Sequence, residues 1–313
     1  MEKDNRPILV TVRCTTYNQE AYISRCLDGI VMQKTNFRFE AIVHDDASSD
    51  STSAIIQEYA KKYPSIIRPI LEKENQYSKG GFELINKIME ESFSYGKYIA
   101  DCEGDDYWID PLKLQKEVDA MEKNPSVTCV HTGFITIDKD GKEIVRPYYE
   151  KCMKRSHNGN VVSSLLNGNY VMTLTTMYRS DVFKSSIYQS CPAKFDYTTA
   201  FTAAMMGDFI YLPEKTACYR QTPGGSMDLM HSDANHPLVK MRKEVYSYFS
   251  ELIVEKESSS FREKVILRCH ILIHLMRIRD DETLMRIIRK DRMSKWIYPF
   301  AYIYRRIKYA NEC

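Results

Sequence analysis

Residues 8–20, ILVTVRCTTYNQE, join a β-branched run to a short polar turn, and this junction indicates the fold. The run ILVTVRC predicts a strand, because β-branched side chains suit a pleated, buried backbone. Residues 39–50, FEAIVHDDASSD, repeat the arrangement with a second apolar run and a turn of short polar side chains. Apolar residues at helical spacing follow each turn. The sequence therefore predicts βα units that build an α/β fold with a mostly parallel sheet.

The same alternation continues along the chain to about residue 230, and the composition then shifts to long helical stretches. Gly207 is predicted to end a helix as its C-cap. The other strands are predicted over residues 66–71, 98–101, 127–137 and 171–178. Helices are predicted over residues 18–33, 49–63, 82–93, 111–121, 161–166, 195–206, 238–256, 261–279, 283–290 and 296–309. The chain thus divides into an α/β part and a C-terminal helical extension over residues 231–313.

Composition excludes several classes of protein. The 313 residues hold 44 Lys or Arg and 42 Asp or Glu, a balance that argues against nucleic acid as a partner. Nine cysteines stand singly and their number is odd, which indicates reduced thiols and neither a disulfide frame nor a zinc site. No stretch approaches the roughly 18 apolar residues of a membrane span. These features predict a soluble protein of the cytoplasm.

Two acidic clusters follow predicted strands. In the first, residues 44–50, HDDASSD, a carboxylate can accept from a nucleobase N–H or a ribose hydroxyl. A turn without a ligand, in which Ser49 or Asp50 caps the next helix, explains this segment equally well. The second, residues 101–108, DCEGDDYW, packs carboxylates so closely that they raise one another's pKa unless a cation compensates them. Because Mg²⁺ and Mn²⁺ prefer oxygen ligands, we favour a metal site over a solvated acidic loop here.

Three motifs resemble those of glycosyltransferase family two, which has the GT-A fold. They are residues 15–20, TTYNQE, residues 45–50, DDASSD, and residues 103–108, EGDDYW. Further along, residues 195–197, FDY, the turn at Gly207, residues 212–214, LPE, and the pair Tyr219-Arg220 resemble the acceptor-side half of the family. The resemblance covers about residues 7–226 in the family's order and spacing.

The resemblance implies a GT-A domain over residues 1–230, with a donor half over about 1–125 and an acceptor half over about 126–230. It places Asp46 where the family binds the nucleobase, and Glu103 with Asp105 at the family's Asp-x-Asp motif. It also implies that Asp105 and Asp106 contact Mn²⁺ or Mg²⁺, and that Asp196 is the catalytic base. The residues that it places around the nucleotide sugar are Thr16, Tyr17, Glu20, Asp46, Glu103 and Asp105.

The implied reaction is an in-line displacement, in which Asp196 takes the proton of an acceptor hydroxyl. On spacing alone, Asp196 is equally explained as a carboxylate stabilised at a helix N-terminus. Two departures from the family pattern are present. Glu103 replaces the more frequent Asp, and no histidine stands two residues after Tyr219-Arg220, although His231 lies close enough in sequence to substitute. The Gly224-Gly225 pair is explained equally well as a loop that closes over the donor and as an ordinary solvent loop.

The segment 286–309, RIIRKDRMSKWIYPFAYIYRRIKY, interleaves aromatic and basic residues. This composition suits a helix that lies on an anionic membrane surface. A helix that packs its aromatic side on the rest of the protein suits it equally well, and Pro299 would kink or split the helix in either case. Peripheral contact with the inner face of the cell membrane therefore stays one of two alternatives.

Taken together, these features predict a hexosyl- or N-acetylhexosaminyl-transferase. Its donor is predicted to be a nucleotide sugar, with a UDP-sugar first, and its acceptor a growing surface polysaccharide or a lipid-linked oligosaccharide. One alternative is a nucleotidyltransferase that makes nucleotide sugars, although residues 15–20 lack the glycine and lysine of a phosphate loop. Another is a glycan-binding protein without catalysis. A glycoside hydrolase is a poor third alternative, because hydrolysis needs one pair of carboxylates and not so many acids at the end of a nucleotide-binding strand.

Overall fold

The computed structural model describes residues 6–92, 96–222, 237–256 and 260–308. The chain forms two compact units. The first comprises residues 1–161, 170–189 and 194–225, and the second comprises residues 162–169, 190–193 and 226–313. Strands and helices alternate through the first unit, whereas the C-terminal part of the second is helical.

All the strands of the described residues belong to one sheet. They are β1 (Ile8–Thr16), β2 (Arg38–Asp45), β3 (Ile67–Leu71), β4 (Tyr98–Asp101), β5 (Tyr107–Trp108), β6 (Val127–Ile137), β7 (Thr176–Arg179) and β8 (Asp208–Arg220). The described helices are α1 (Ile23–Val31), α2 (Thr52–Lys62), α3 (Tyr77–Ser92), α4 (Lys113–Lys123), α5 (Pro147–Arg155), α6 (Val162–Leu165), α7 (Asp181–Lys184), α8 (Ser186–Gln189), α9 (Asp196–Met206), α10 (Pro237–Lys256), α11 (Phe261–Arg277), α12 (Asp281–Lys290) and α13 (Arg292–Lys308).

The sheet has the order β3-β2-β1-β4-β7-β6-β8-β5. Four of its seven pairings are parallel: β1 with β2, β1 with β4, β2 with β3, and β6 with β8. The antiparallel pairings join β7 to β4 and β6, and β5 to β8. The predicted α/β fold with a mostly parallel sheet is confirmed. Because β1, β2 and β4 are mutually parallel, their carboxyl ends meet at one edge of the sheet.

Several predicted boundaries were wrong for identifiable reasons. The helix predicted from residue 18 begins only at Ile23, since Asn18 adopts a left-handed conformation with φ of 51°. The helix predicted over residues 82–93 begins at Tyr77, and it is kinked at Gly81, whose φ is 60°. Two elements were not predicted: α5, which is only nine residues long, and β8, whose alternation is irregular and which contains Pro213.

The strand predicted over residues 171–178 was also placed too early. A 3₁₀ turn occupies Thr173–Thr175, and β7 follows it at Thr176–Arg179. Gly207 does end α9, but in an extended conformation and not in a left-handed cap. Glycine is needed there for a steric reason, because a Cβ atom would lie 2.2 Å from the carbonyl oxygen of Ser126.

The core of the first unit lies between the sheet and its helices. Leu27 and Ile30 of α1 pack with Val10 and Val12 of β1, and all four are fully buried. A Cβ atom on Gly29 would lie 2.8 Å from the backbone nitrogen and oxygen of Trp108, so glycine allows α1 to approach β5 closely. The buried Trp108 indole donates to the carbonyl of Leu174 over 2.9 Å. These contacts hold the segment after β4 against the sheet.

A buried ion pair lies beneath the same segment. Lys113 Nζ is 2.6 Å from Glu117 Oε1, both side chains are fully buried, and the ammonium also lies 4.6 Å from the centre of the Trp108 ring. Burial outweighs the opposing charge of Lys113 and raises the pKa of Glu117 to about 7. The pair therefore carries a large desolvation penalty, which its mutual attraction only offsets.

Breaking this pair is expected to destabilise the fold far more than replacing both partners. Lys113→Met should lower the free energy of unfolding by about 3 kcal/mol, because it leaves a buried carboxyl without its partner. The double variant Lys113→Met, Glu117→Leu should have a free energy of unfolding that is within about 1 kcal/mol of that of the parent, or higher. Urea unfolding of the three proteins measures both differences. Equal losses in the single and double variants would contradict this account.

In the second unit, the C-terminal helices pack on one another. Phe249 of α10, Leu272 of α11, Ile287 of α12 and Ala301 of α13 are buried. Arg268 of α11 holds the loop before α13 through an ion pair of 2.8 Å with Asp291. Within the stretches that the structure describes, every helix is too short or too polar to cross a bilayer.

Candidate active site

The loops that follow β1, β2 and β4 meet at one edge of the sheet and form the candidate site. Thr16 and Asp45, the last residues of β1 and β2, pair in register. The backbone nitrogen of Asp46 donates to the carbonyl of Thr16, and that of Gly104 donates to the carbonyl of Thr15, both over 3.0 Å. Parallel pairing thus brings the three motifs of residues 15–20, 45–50 and 103–108 together.

The first two loops are joined by side-chain hydrogen bonds. Glu20 accepts from the backbone nitrogen of Ser51 over 2.9 Å, while the backbone nitrogen of Glu20 donates to Asp50 over 3.0 Å. Asp50 also accepts from the nitrogen of Thr52, the first residue of α2. The N-cap residue of α2 is Ser51, so the prediction that Ser49 or Asp50 caps this helix was wrong. Ala47 has a φ of 61°, which is strained for a residue with a side chain. Such strain is common where a backbone is shaped for binding.

The predicted nucleotide-binding residues have different surroundings. Tyr17 is 49% exposed and its ring is available at the surface. Asp46 is buried, and its two carboxylate oxygens accept from the backbone nitrogens of Gln76 and Tyr77 over 2.6 and 3.0 Å. Asp46 therefore anchors the start of α3, and a nucleobase would use the lone pairs that these bonds leave. Glu20 is likewise already bonded to α2's loop.

Thr16 lies against the acidic loop. Its hydroxyl is buried and has no hydrogen-bond partner among the described residues. The side-chain carbonyl oxygen of Gln19 is also buried without such a partner. A Cβ atom at position 104 would stand 2.9 Å from Thr16 Oγ1 and 2.4 Å from Gln19 Oε1. Only glycine lets the acidic loop pass this close to the first loop, which explains why Gly104 separates the acids of this motif.

Three carboxylates of the acidic loop converge. Glu103, Asp105 and Asp106 each place one carboxylate oxygen within 4.8 Å of the others. An ion with oxygen ligands at 2.0–2.6 Å fits between oxygens about that far apart. The donor set, all carboxylate oxygen, suits Mg²⁺ or Mn²⁺ better than a softer metal. The geometry therefore fits the predicted metal site at Asp105 and Asp106 and adds Glu103 to it.

The electrostatics of this cluster favour a bound cation. Burial, followed by the charge of Asp105 and then that of Asp196, raises the pKa of Glu103 to about 8. Burial also raises the pKa of Asp105, and raises that of Asp106 well above its usual range with the help of Asp105 and Glu103. A positive charge among them would stabilise the ionised forms of all three carboxyls.

Arg220, which sequence reasoning quoted without a role, holds the acidic loop in place. Its backbone nitrogen donates to Asp106 Oδ1 over 2.7 Å, and its Nε donates to the carbonyl of Asp105 over 2.8 Å. Its Nη1 donates to the carbonyls of Asp138 and Lys139. The guanidinium stacks 4.4 Å above the ring of Tyr22. No local pattern in the sequence of β8 indicated this role.

Arg13, also left unassigned by the sequence, stabilises the strand below the site. It binds Asp101 at the end of β4 through two hydrogen bonds of 2.7 and 3.0 Å, and its guanidinium lies 4.5 Å from the ring centre of Phe183. The bidentate bond fixes where β4 ends and the acidic loop starts.

Asp196 is the first residue of α9. Its side chain is exposed, and Oδ1 accepts from the backbone nitrogen of Tyr197 over 2.7 Å. Its charge is among those that raise the pKa of Glu103, after burial and the charge of Asp105. The charge of Asp196 thus acts on Glu103 although the two residues are more than 90 positions apart in sequence. His231 and the Gly224-Gly225 loop lie outside the described residues.

The raised pKa of Glu103 gives a pH-dependent stability. Between its ordinary value of 4.5 and about 8, the folded protein keeps a proton that the unfolded chain has lost. The free energy of unfolding of the metal-free protein should therefore fall as pH rises through this window, through the Glu103 contribution. Glu103→Gln removes that contribution. The free energy of unfolding of this variant should exceed that of the parent by about 1 kcal/mol or more at pH 8, but not at pH 4.5.

Thermal unfolding in a chelator from pH 4.5 to 8.5 measures this difference. Glu122→Gln is the matched control, because the hydrogen bond from Lys97 lowers the pKa of Glu122. That variant should gain no stability with rising pH. Parallel pH profiles for the parent and Glu103→Gln would contradict the electrostatic account.

Comparison with known proteins gives a consistent family relationship. The sequence model of the family described as Glycosyl transferase family 2 matches residues 11–185. A protein of Mycobacterium tuberculosis (strain ATCC 25618 / H37Rv) is 36% identical over 222 residues, which make up 70% of this chain and 60% of that protein. The chain thus spans about three-fifths of the length of that relative.

Two solved structures share the fold. S. aureus TarS in complex with UDP-GlcNAc has a TM-score of 0.61 and 17% identity, over 94% of this chain and 79% of that one. The mannosyltransferase PcManGT from Pyrobaculum calidifontis, in complex with GDP-Man and Mn²⁺, has a TM-score of 0.53 and 16% identity, over 98% of this chain and 88% of that one.

Proposed function

Since this chain belongs to glycosyltransferase family 2 and has the GT-A fold, we propose that it is an inverting, metal-dependent enzyme that uses a UDP-sugar. The transferred group is a hexose or an N-acetylhexosamine. The acceptor is a hydroxyl of a growing surface polysaccharide or of a lipid-linked oligosaccharide. Contact of the C-terminal helices with the inner face of the cell membrane belongs to the same proposal, because it would bring the enzyme to a lipid-linked acceptor.

The observation that carries the proposal is the convergence of three carboxylates in the loop after β4, at the edge of the sheet where three parallel strands end. Glu103, Asp105 and Asp106 form a set of oxygen ligands, and Asp196 lies close enough to perturb Glu103. Like charges gathered in this way destabilise a fold unless they bind something. A divalent cation held there would neutralise the charge that develops on a leaving diphosphate.

The roles of the protein's own residues follow from this arrangement. The Asp196 carboxylate, exposed at the start of α9, accepts the proton of the acceptor hydroxyl. The hydroxyl oxygen then forms its bond to the anomeric carbon as the bond from that carbon to the diphosphate oxygen breaks. A single displacement inverts the anomeric configuration. Arg220 keeps Asp105 and Asp106 in place through its backbone and guanidinium bonds.

The donor half is assigned to about residues 1–125 and the acceptor half to about residues 126–230. Tyr17 is the exposed aromatic side chain of the first loop, and it would pack on the nucleotide, whereas Thr16, Glu20 and Asp46 shape the pocket wall. The two solved neighbours hold UDP-GlcNAc and GDP-Man, so the fold itself accepts more than one nucleotide. UDP is proposed first because the neighbour with the higher TM-score holds it.

Release of nucleoside diphosphate from a panel of UDP-, dTDP- and GDP-sugars tests the proposal. Each reaction contains Mn²⁺ or a chelator and an acceptor pool extracted from bacterial membranes. The proposal expects one UDP-sugar to be consumed only with metal, with the sugar recovered on the acceptor in inverted configuration. Consumption of a sugar phosphate and a nucleoside triphosphate would favour the nucleotidyltransferase alternative. Glycan binding with no donor consumed would favour the non-catalytic one.

A further inference from the structure

Helix α13 of the second unit exposes an apolar stripe. Trp296, Phe300 and Ile303 are 81%, 71% and 55% exposed. They are four and three residues apart, a spacing that puts them on one face of a helix. The buried residues of the same helix lie on the other side, where α13 packs on α11 and α12, and they are Ser294, Ile297 and Ala301. The three exposed residues are called the α13 stripe below.

Single exposed apolar residues are ordinary, but an aligned group of this size on one helix is not. Leaving a Trp, a Phe and an Ile in water forgoes the burial free energy that large apolar side chains usually provide. The stripe is therefore suited to an apolar environment that the described part of this chain does not supply.

Basic side chains flank the stripe. Arg292, Lys295 and Arg306 are exposed on α13. From residue 286 to residue 308 the sequence has eight Lys or Arg and one acidic residue, Asp291, which already binds Arg268. The whole chain is nearly balanced at 44 basic and 42 acidic residues, so the remainder has an excess of acid. Positive charge is thus concentrated where the apolar stripe lies.

We propose that the α13 stripe inserts into the interface of an anionic lipid bilayer, with its flanking Arg and Lys side chains on the headgroups. A bilayer interface offers acyl chains and negative charge within a few ångströms, which matches an apolar stripe beside a basic one. Nucleic acid offers the charge without a surface that would bury Ile303. A protein partner would need its own acidic rim around an apolar groove.

The shape of the helix is consistent with a position parallel to the membrane plane. Its 17 residues would extend about 25 Å, too short and too charged to cross the bilayer. Pro299 lies inside the helix and has no backbone N–H, so the carbonyl four residues earlier lacks its helical donor. Water at the interface can donate to that carbonyl instead. Tyr302 and Tyr304 are also exposed, and their amphipathic rings suit headgroup depth.

Co-sedimentation of the full chain with vesicles tests the inference, which deepens the membrane contact of the proposed function but is measured without any donor or acceptor. Vesicles of phosphatidylcholine alone are compared with vesicles that contain 30 mol% phosphatidylglycerol. The chain should bind the anionic vesicles and bind less as salt is raised. Trp296→Ala with Phe300→Ala should weaken this binding about 100-fold. Arg292→Glu with Lys295→Glu should weaken it about 30-fold.

Two control variants change the same types of residue elsewhere in the second unit. Phe261→Ala with Ile266→Ala removes exposed apolar groups, and Lys240→Glu with Arg262→Glu reverses exposed charges. Both should bind as the parent does. Because every substituted side chain is exposed, circular dichroism should show folded proteins throughout.

Three results would overturn the inference. The first is equal binding of the parent and the Trp296→Ala, Phe300→Ala variant to anionic vesicles. The second is equal binding of the parent to neutral and anionic vesicles. The third is absence of vesicle binding by a parent that sediments as a dimer while the stripe variant sediments as a monomer, since the stripe would then be covered by a second copy. Failure of the donor panel would leave these vesicle results unaffected.

Discussion

Replacing Asp196 with asparagine is expected to lower the turnover number by about 10²–10⁴-fold, because a general base contributes about that much to a proton-transfer step. The amide keeps the shape of the side chain and can still accept from the backbone nitrogen of Tyr197, so α9 should begin as before. What it loses is the ability to take a proton from the acceptor hydroxyl.

Donor affinity separates this role from a structural one. The Asp196→Asn variant should bind UDP with Mn²⁺ as tightly as the parent does, and its thermal unfolding temperature should not fall. Asp119→Asn, at an exposed position on α4, is the matched carboxyl-to-amide control and should keep full turnover. A turnover number that drops less than about threefold in Asp196→Asn would contradict its assignment as the base.

The second large effect is expected at the acidic loop. Asp105→Asn should raise the Mn²⁺ concentration needed for half-maximal activity by about 100-fold or more, since loss of even an indirect metal partner costs about 10–100-fold. Asp105 is half-buried and its carboxylate converges with those of Glu103 and Asp106. Its backbone bond to Arg220 is not affected by the substitution.

Metal titration of activity, followed for Asp105→Asn and for the Asp119→Asn control, measures the effect. Without metal the same variant should be slightly more stable than the parent at pH 8, because it removes one of the like charges of the cluster. An unchanged Mn²⁺ requirement would show that the three carboxylates converge for another reason.

Much of this arrangement could be predicted from the sequence, because the signals were local. The runs of residues 8–14 and 39–44 have the composition of strands, and polar turns follow them directly. In parallel strands the ends of such runs meet, so the clusters at residues 45–50 and 101–108 were expected at one edge. The structure places them there.

The missed features depend on contacts between distant residues. Arg220 holds Asp105 and Asp106 across more than 100 residues, and no local pattern shows which carbonyls its guanidinium reaches. The helix predicted to begin at residue 18 begins later, because side chains of the second loop accept hydrogen bonds from the backbone of residues 18 and 20 and keep them out of a helix. Strand β8 was missed because Pro213 and its irregular register with β6 interrupt the alternation.

The predicted nucleotide-binding residues show where motif reasoning stops. The sequence groups Thr16, Glu20 and Asp46 by their place in motifs. The structure adds that Glu20 and Asp46 already accept backbone hydrogen bonds from the starts of neighbouring helices. These carboxylates therefore hold the backbone of their own loops as well as being candidates to bind the nucleotide. Motifs in the sequence do not show the first of these two roles.

Calorimetric titration of the purified protein with UDP, with and without Mn²⁺, tests the central claim most directly when it is repeated on Asp105→Asn combined with Asp106→Asn. The account predicts UDP binding that requires Mn²⁺ in the parent and is lost in the double variant, with the fold retained. Equal UDP binding with and without Mn²⁺, or binding that survives in the double variant, would contradict a metal-dependent donor site at the acidic loop.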